Sequence, residues 1–342
     1  MTSIARLHYG NIPLHSLNLP LIGYYWLMFT TLKLPPHCYP IYWRKLLVVS
    51  CLFLFFIGAQ SKASETKVAS DDIDYSSDIN YLGNANSPII KDDFAWQIMI
   101  DLSFVYEPVV LKSVEQTNLW QFFEPGLLVD ISYKGFFLQT NQRRSATILG
   151  RAEFGYQLLV KDNWQIDIIA KGYMSGYRPS DLIEHQDANE ELFLGLSQRN
   201  DTVGIGLRYS GYFDNAIFTV DIASAHAEAD INGLIIDSFY SYLLPYRNWD
   251  IYLGAGLTYY DQALVDYYIG IDENEANKNR PQYTADKNFR GQLEIYAQHP
   301  ISSNWSFNAG ITQSFYSKEI KRSPLVDKNK TTQVMIGVLY VF

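Results

Sequence analysis

From Trp249 to Tyr259 every second residue is apolar or aromatic: Trp249, Ile251, Leu253, Ala255, Leu257 and Tyr259. Between them stand Asp250, Tyr252, Gly254, Gly256, Thr258 and Tyr260. Successive side chains of a strand point to opposite faces, so strict alternation predicts a strand with one apolar face. The run outlasts the ~5–6 residues usual in soluble proteins. It suits the roughly 9–11 residues a tilted strand needs to cross a hydrocarbon layer. The pattern recurs twice. Trp164, Ile166, Ile168 and Ala170 oppose Gln165, Asp167, Lys171 and Tyr173, with Ile169 as an exception. Trp305, Phe307, Ala309 and Ile311 oppose Ser306, Asn308, Gly310 and Thr312. Each time a short polar turn ends in Asn and Trp opens the outward face. Asn tolerates left-handed backbone angles, which suits a tight turn. Trp164, Trp249 and Trp305 are expected to form an aromatic girdle where water meets lipid, because an indole pairs an apolar ring with one N–H. Three hairpins of a soluble sandwich would read similarly, but with shorter strands and denser turns.

Twelve segments carry strand patterning: 94–106, 122–134, 135–142, 147–160, 163–175, 201–213, 215–227, 232–245, 248–261, 286–299, 303–317 and 330–342. In the first, Phe94, Trp96, Ile98, Ile100, Leu102 and Phe104 are expected to face out and Gln97, Asp101 and Ser103 in. Tight connections at Lys134-Gly135, 161–163, Asp214-Asn215, Arg247-Asn248 and 300–304 alternate with longer ones at 107–121, 143–146, 176–200, 228–231, 262–285 and 318–329. Short turns on one side and longer loops on the other predict an all-β, up-and-down antiparallel transmembrane barrel of the bacterial outer membrane, residues 94–342. An even strand count places both termini in the periplasm. The last segment ends with Val334, Ile336, Val338, Tyr340 and Phe342 on one face. A terminal aromatic on an alternating strand is similar to the signal read by the barrel assembly machinery, and Val338, Tyr340 and Phe342 are expected to be that barrel-end signal.

The N-terminal part reads differently. "RKLLVVSCLFLFFIGAQSKA", residues 44–63, has a basic start, a short apolar core and a small-x-small end. It predicts a secretory signal peptide cut between Ala63 and Ser64. A signal normally begins a chain, so residues 1–43 are read as an over-extended translation start. The rival is an anchor, though "LIGYYWLMF" is too short to span. Residues 64–93 are acidic and aperiodic and are expected to form a flexible periplasmic tail. Removing 1–63 leaves 22 basic against 36 acidic residues, a net of −14, which argues against nucleic-acid binding. Both cysteines, Cys38 and Cys51, precede the cut, so the exported chain has no disulfide.

Aromatic residues make up 15% and charged residues 18% of the 342, with a mean hydropathy of −0.10. That mixture fits a barrel with a polar interior. Inward positions are expected to include Arg151, Lys171, Arg208 and Arg290 against Asp101, Asp130, Glu153, Asp167, Asp221, Asp237 and Glu294. A mixed set could pair across the lumen and close it. It has no arginine ladder of the kind an anion pore uses, so an open lumen would favour cations. A catalytic triad could be drawn from Ser224, His226 and Glu228. All three share one face of one strand, whereas a triad converges from different elements; no enzyme activity is expected. The loops 176–200 and 262–285 hold Asp181, Glu184, Asp187, Glu190, Glu191, Asp266, Asp272, Glu273 and Glu275. Such acids could hold Ca²⁺ or Mg²⁺ between lipopolysaccharides, but the spacing matches no defined cation loop. They are read as solvated acidic loops, with no metal site or cofactor.

The second half carries further motifs in order: "DYYIGI" (266–271), "RPQY" (280–283), "SSNWSFNAGITQSFY" (302–316) and "RSPLV" (322–326). This order resembles the MltA-interacting protein (MipA/OmpV) family, over roughly 94–342 and most specifically over 246–342. The matching positions are Tyr268 and Gly270, Pro281 and Tyr283, and Ser323 and Pro324. A Pro-x-Tyr-x-Gly stretch usual after the first strand is here "YEPVVLKSV". The resemblance implies an outer-membrane barrel and, in some members, a scaffold joining a lytic transglycosylase to a peptidoglycan synthase; others serve adhesion or envelope stress. The expected partners are outer-membrane lipids and lipopolysaccharide, the assembly machinery and a periplasmic murein hydrolase or synthase. A narrow diffusion channel is the alternative function.

Overall fold

The computed structural model describes residues 94–116, 119–140, 152–185, 189–228 and 230–342. The start region 1–43, the signal segment with Ala63 and Ser64, the tail 64–93, the connection 143–146 and Arg151 lie outside the described residues. The described residues form a closed barrel. Its strands are β1 Ala95–Tyr106, β2 Phe123–Tyr133, β3 Phe136–Thr140, β4 Ala152–Val160, β5 Trp164–Met174 and β6 Thr202–Phe213. They continue as β7 Ala216–Glu228, β8 Ile231–Tyr246, β9 Trp249–Tyr260, β10 Asn288–Pro300, β11 Trp305–Tyr316 and β12 Lys330–Val341. Each pairs antiparallel with its sequence neighbours, and β1 closes the ring on β12, from Met99 opposite Val341 to Tyr106 opposite Val334. All twelve expected segments are present.

The alternation sets the faces. In β6, Val203, Ile205, Leu207 and Tyr209 are exposed while Thr202, Gly204, Arg208 and Ser210 are buried. In β9, Leu253 and Leu257 look outward and Tyr252, Thr258 and Tyr260 inward. Ring-wide apolar exposure of this kind needs lipid as its solvent. No described helix is long and apolar enough to cross a membrane; the crossing is made by strands. Ile100 departs from the expected pattern, being buried at 3% on a face expected to be open. Ile169 is fully buried on the inner face.

The three tryptophans stand at the short-turn end. Trp249 stacks on His299 at 4.8 Å and meets Phe307 edge-on at 6.1 Å. Trp305 lies 4.9 Å from Tyr340, which lies 4.9 Å from Phe342. Trp164 stacks on Tyr209 at 6.2 Å. The terminal Phe342 is also tied by its own N–H to the Ile98 carbonyl, 3.1 Å.

The role expected for asparagine in the turns is corrected. None of Asn163, Asn248 and Asn304 has positive φ; in the β8–β9 turn the left-handed residue is Arg247, at φ 55°. The asparagines act through their carbonyls, which reach the next strand along. Tyr212 N–H donates to Asn163 O at 2.8 Å, Leu243 N–H to Asn215 O at 2.7 Å and Val341 N–H to Asn304 O at 2.9 Å. The β2–β3 turn does use left-handed angles, at Lys134 (φ 51°) and Gly135 (φ 84°), the pairing that matches hairpin twist.

The lumen charges pair, but along the wall rather than across it. Arg208 on β6 donates to Glu153 of β4 (2.7 Å from Nη2) and to Asp221 of β7 (2.6 Å from Nε). Lys171 on β5 bonds Asp221 and stands 3.6 Å from Asp237 of β8. One basic side chain thus bridges strands on either side, and the β4–β8 sector sets Lys171 and Arg208 against Glu153, Asp167, Asp221 and Asp237, an excess of acid. On the far side, Asn308 Nδ2 donates to Asp101 at 2.9 Å, reaching across β12. Arg290 donates to Thr258 at 3.2 Å and lies over the Tyr260 ring.

Candidate functional site

The long loops are built, not loose. Helix α1 is Leu119–Phe122, α2 Pro179–His185, α3 Glu190–Phe193 and α4 Gln262–Ile269, and a 3-10 turn covers Lys318–Arg322. In α4, Asp261 caps the start by accepting the Ala263 N–H, and Gly270 ends it with its N–H on the Asp266 carbonyl, 2.7 Å. Leu264, Val265, Tyr268 and Ile269 make its buried face. That face turns into the barrel mouth. A Cβ on Gly233, in β8, would stand 2.8 Å from Leu264 Cγ.

One apolar core joins four loops across the mouth. It takes Leu111 and Val114 from β1–β2, Leu182, Leu192, Phe193 and Leu196 from β5–β6, and the α4 face with Ile271 and Ala285 from β9–β10. Ile320, Leu325 and Val326 come from β11–β12, and Ala225, Ile235 and Tyr260 from the inner wall. Backbone bonds stitch neighbouring loops, as between Lys112 N–H and the Leu325 carbonyl at 2.8 Å.

Polar contacts latch this cap. Arg199 makes a bidentate pair with Glu275, at 3.0 and 2.8 Å, and Glu275 also accepts the Ser197 N–H at 2.8 Å. Burial alone would raise the Glu275 pKa; the Arg199 and Ser197 hydrogen bonds outweigh it and hold the carboxyl at about 2. Arg280 is the largest fully buried side chain, 1% exposed. Its guanidinium donates to the Glu275 carbonyl (3.0 Å from Nε), to the Leu192 carbonyl and to the Leu194 carbonyl at 3.3 Å. It thereby holds the last carbonyls of α3, a common use of a cation at a helix end. Burial pushes the Arg280 pKa down and lifts the Tyr177 phenol to about 12. Tyr177 donates to the Tyr268 carbonyl at 2.8 Å, and the Tyr268 hydroxyl lies 2.6 Å from Thr202 Oγ1.

The sequence profile described as "MltA-interacting protein MipA" matches residues 113–342. The chain belongs to this family. Among its relatives, the 24 kDa outer membrane protein of Pasteurella multocida (strain Pm70) is 23% identical over 236 residues, 68% of this chain and 86% of that one. The MltA-interacting protein of Escherichia coli (strain K12) is 22% identical over 158 residues, covering 46% of this chain and 63% of its own length. OmpV of Vibrio cholerae serotype O1 is 26% identical over 187 residues, 52% and 67% of the two chains. Closed topology, lipid-type exposure and these relatives together make the molecule an outer-membrane β-barrel. The family match starts at Ser113, so β1 and the first part of the loop where "YEPVVLKSV" departs from the family pattern lie before it.

In this MipA-family barrel the motif residues gather in the cap. Tyr268 and Gly270 belong to α4 and its end, where a Cβ on Gly270 would stand 2.3 Å from the Asp266 carbonyl. Tyr283 forms a two-residue bridge with Ile271, at 2.8 and 3.1 Å. Ser323 donates from Oγ to the Ile269 carbonyl at 2.7 Å, tying the β11–β12 loop to α4; Pro324 is half-buried beside it. Pro281 is exposed and follows the buried Arg280. The spacing of these motifs thus encodes one folded unit drawn from two loops.

Several sequence expectations change here. Glu275 is not solvated but buried and latched to Arg199, and the half-buried Asp266 accepts the Ala285 N–H at 2.6 Å. No cluster of three or more metal-ligating side chains occurs among the described residues. Ser224 and His226 share the exposed face of β7, and a register shift separates them from Glu228. Glu228 accepts from Tyr267 (2.7 Å) and Asn200 (3.0 Å), while the His226 ring meets Asn232. Sequence reasoning passed over Arg199, read Glu275 as a solvated acid and gave Arg280 no role beyond opening a motif. The available signal was an arginine fixed before a proline, where the backbone is held extended, inside an otherwise acidic loop.

Proposed function

We propose that this barrel works by binding, as a scaffold for envelope enzymes, and neither conducts ions nor catalyses a reaction. The observation that carries the reading is the cap: four loops share one apolar core seated on the inner wall of the mouth. The pairing of Arg208 and Lys171 with acids of neighbouring strands supports it, since an anion-selective pore would use unpaired basic charge. A relative named MltA-interacting protein supports a murein enzyme as the partner class. With both barrel termini on the short-turn side, a periplasmic partner meets the turns at 161–163, 246–248 and 300–304 and the acidic segment 64–93. An acidic tail captures a basic partner with salt-sensitive affinity.

Photo-crosslinking probes at Arg247 and within 70–90, in cells, are expected to trap a lytic transglycosylase or another murein enzyme. Recovery of the assembly machinery alone, with no envelope enzyme at either place, overturns the scaffold reading. Export belongs to the same reading: protein sequenced from outer membranes is expected to begin at Ser64, and a start upstream of Arg44 contradicts it.

A further inference from the structure

We infer that the outer rim of β10–β12 binds the phosphorylated headgroup of an outer-leaflet glycolipid. The cap is electrically divided. Residues 175–201 carry six acids against two bases, and 261–286 carry six against two. Two of those four bases, Arg199 and Arg280, are buried inside the cap as latches. The segment 317–330 is the reverse: Lys318, Lys321, Arg322, Lys328 and Lys330 stand against Glu319 and Asp327. Lys318, Lys321, Arg322 and Lys330 are all exposed, as is the neighbouring Lys287.

Lys330 lies at the right height for a headgroup. Lys330 shares the outward parity of Val334 and Ile336 and pairs with the lipid-facing Phe315. Its ammonium stands 5.6 Å from the centre of that ring. The loop is stitched to the strand ends at this level: the Phe289 N–H donates to Ser317 Oγ at 2.9 Å, and the Ser317 N–H to the Phe289 carbonyl at 3.0 Å. Phe289 and Phe315 are both exposed on the lipid side. Exposed aromatic rings at the strand ends, with the Lys330 ammonium over one of them and a basic loop joining them, form an amphipathic edge. Its charge complements phosphate on a lipid, while the acidic sectors elsewhere on the cap would repel the same group.

The test uses the full chain, extracted folded from outer membranes, stripped of lipid and titrated with a fluorescent diphosphorylated lipid A. Saturable binding is expected, weakened at least about tenfold in the Lys318→Gln/Lys321→Gln/Lys330→Gln variant, since each surface cation contributes on the order of a fivefold change toward an anionic lipid. Phosphatase-treated lipid A is expected to bind equally weakly. Lys278→Gln, in the acidic sector, is expected to bind as the parent does. Retention of the heat-modifiable gel form shows whether the triple variant is folded; if it is not, single Lys→Gln variants, each expected to lose several-fold, carry the test. Equal binding by the folded triple variant, or equal binding of the dephosphorylated lipid, overturns the proposal. Full competition by millimolar inorganic phosphate would assign the rim to the free ion and overturn the lipid assignment.

Discussion

Single positions show how far each face is committed. Gly254 points inward, and a Cβ there would stand 2.6 Å from Phe239 Cζ and 3.0 Å from Glu294 Cβ. Gly254→Ala is therefore expected to lower stability by about 1–3 kcal/mol through overpacking. Leu253→Ala, next door on the lipid face, leaves no such clash. Leu253→Arg is a different matter, costing about 2–4 kcal/mol at the membrane midplane. Denaturant midpoints of refolding into lipid vesicles compare these variants, and a silent Gly254→Ala would place that face wrongly. At Lys134 the left-handed angle strains a non-glycine residue, and Lys134→Asn is expected to stabilise by about 0.5–1 kcal/mol in the same measurement. The face of each residue was legible because period-two alternation reports it directly. The partner was not: parity says that Arg208 points inward, but only the ring geometry says that it meets Glu153 and Asp221 on its own side. The same limit hid how Asn163, Asn215 and Asn304 work, since their carbonyls bond strands distant in sequence.

Among the elements, the strands were readable and the cap was not. Lipid demands long alternating segments, so each strand left a strong periodic trace. The helices of the cap are too short for one: α4 has eight residues and α3 four. Their order rests on tertiary contacts such as the Arg199–Glu275 latch. That latch gives the cap a pH dependence with a definite sign. Glu275 is held at about 2, below its ordinary 4.5, so its contribution is complete above about pH 4.5 and is lost as pH falls through about 2. Pepsin cleavage within 176–200 and 262–285, normalised at each pH to an unstructured substrate, is expected to accelerate as pH falls from about 4.5 to about 2. Glu275→Gln should remove the dependence and raise cleavage throughout. Arg199→Ala leaves a buried carboxylate unpaired, a loss on the order of 3–5 kcal/mol. It is expected to loosen the loops while the barrel keeps its heat-modifiable form. Equal protease resistance in Arg199→Ala and parent would show that the apolar core alone holds the cap.

For the whole molecule, the parts describe a barrel whose elaboration sits at one end. The short-turn end carries Trp164, Trp249, Trp305 and the terminal Phe342; the other end carries the folded cap with Tyr268, Gly270, Tyr283 and Ser323 inside it. The wall between them pairs its lysine and one arginine with acids of neighbouring strands. On the proposed reading the protein presents surfaces on both sides of the membrane without joining them by a water path. Electrical recording tests this most directly. The purified full chain, folded into a planar lipid bilayer, is expected to remain silent in neutral salt. Steady, long-lived steps of cation current from the folded wild-type protein would contradict the account and make the barrel a channel.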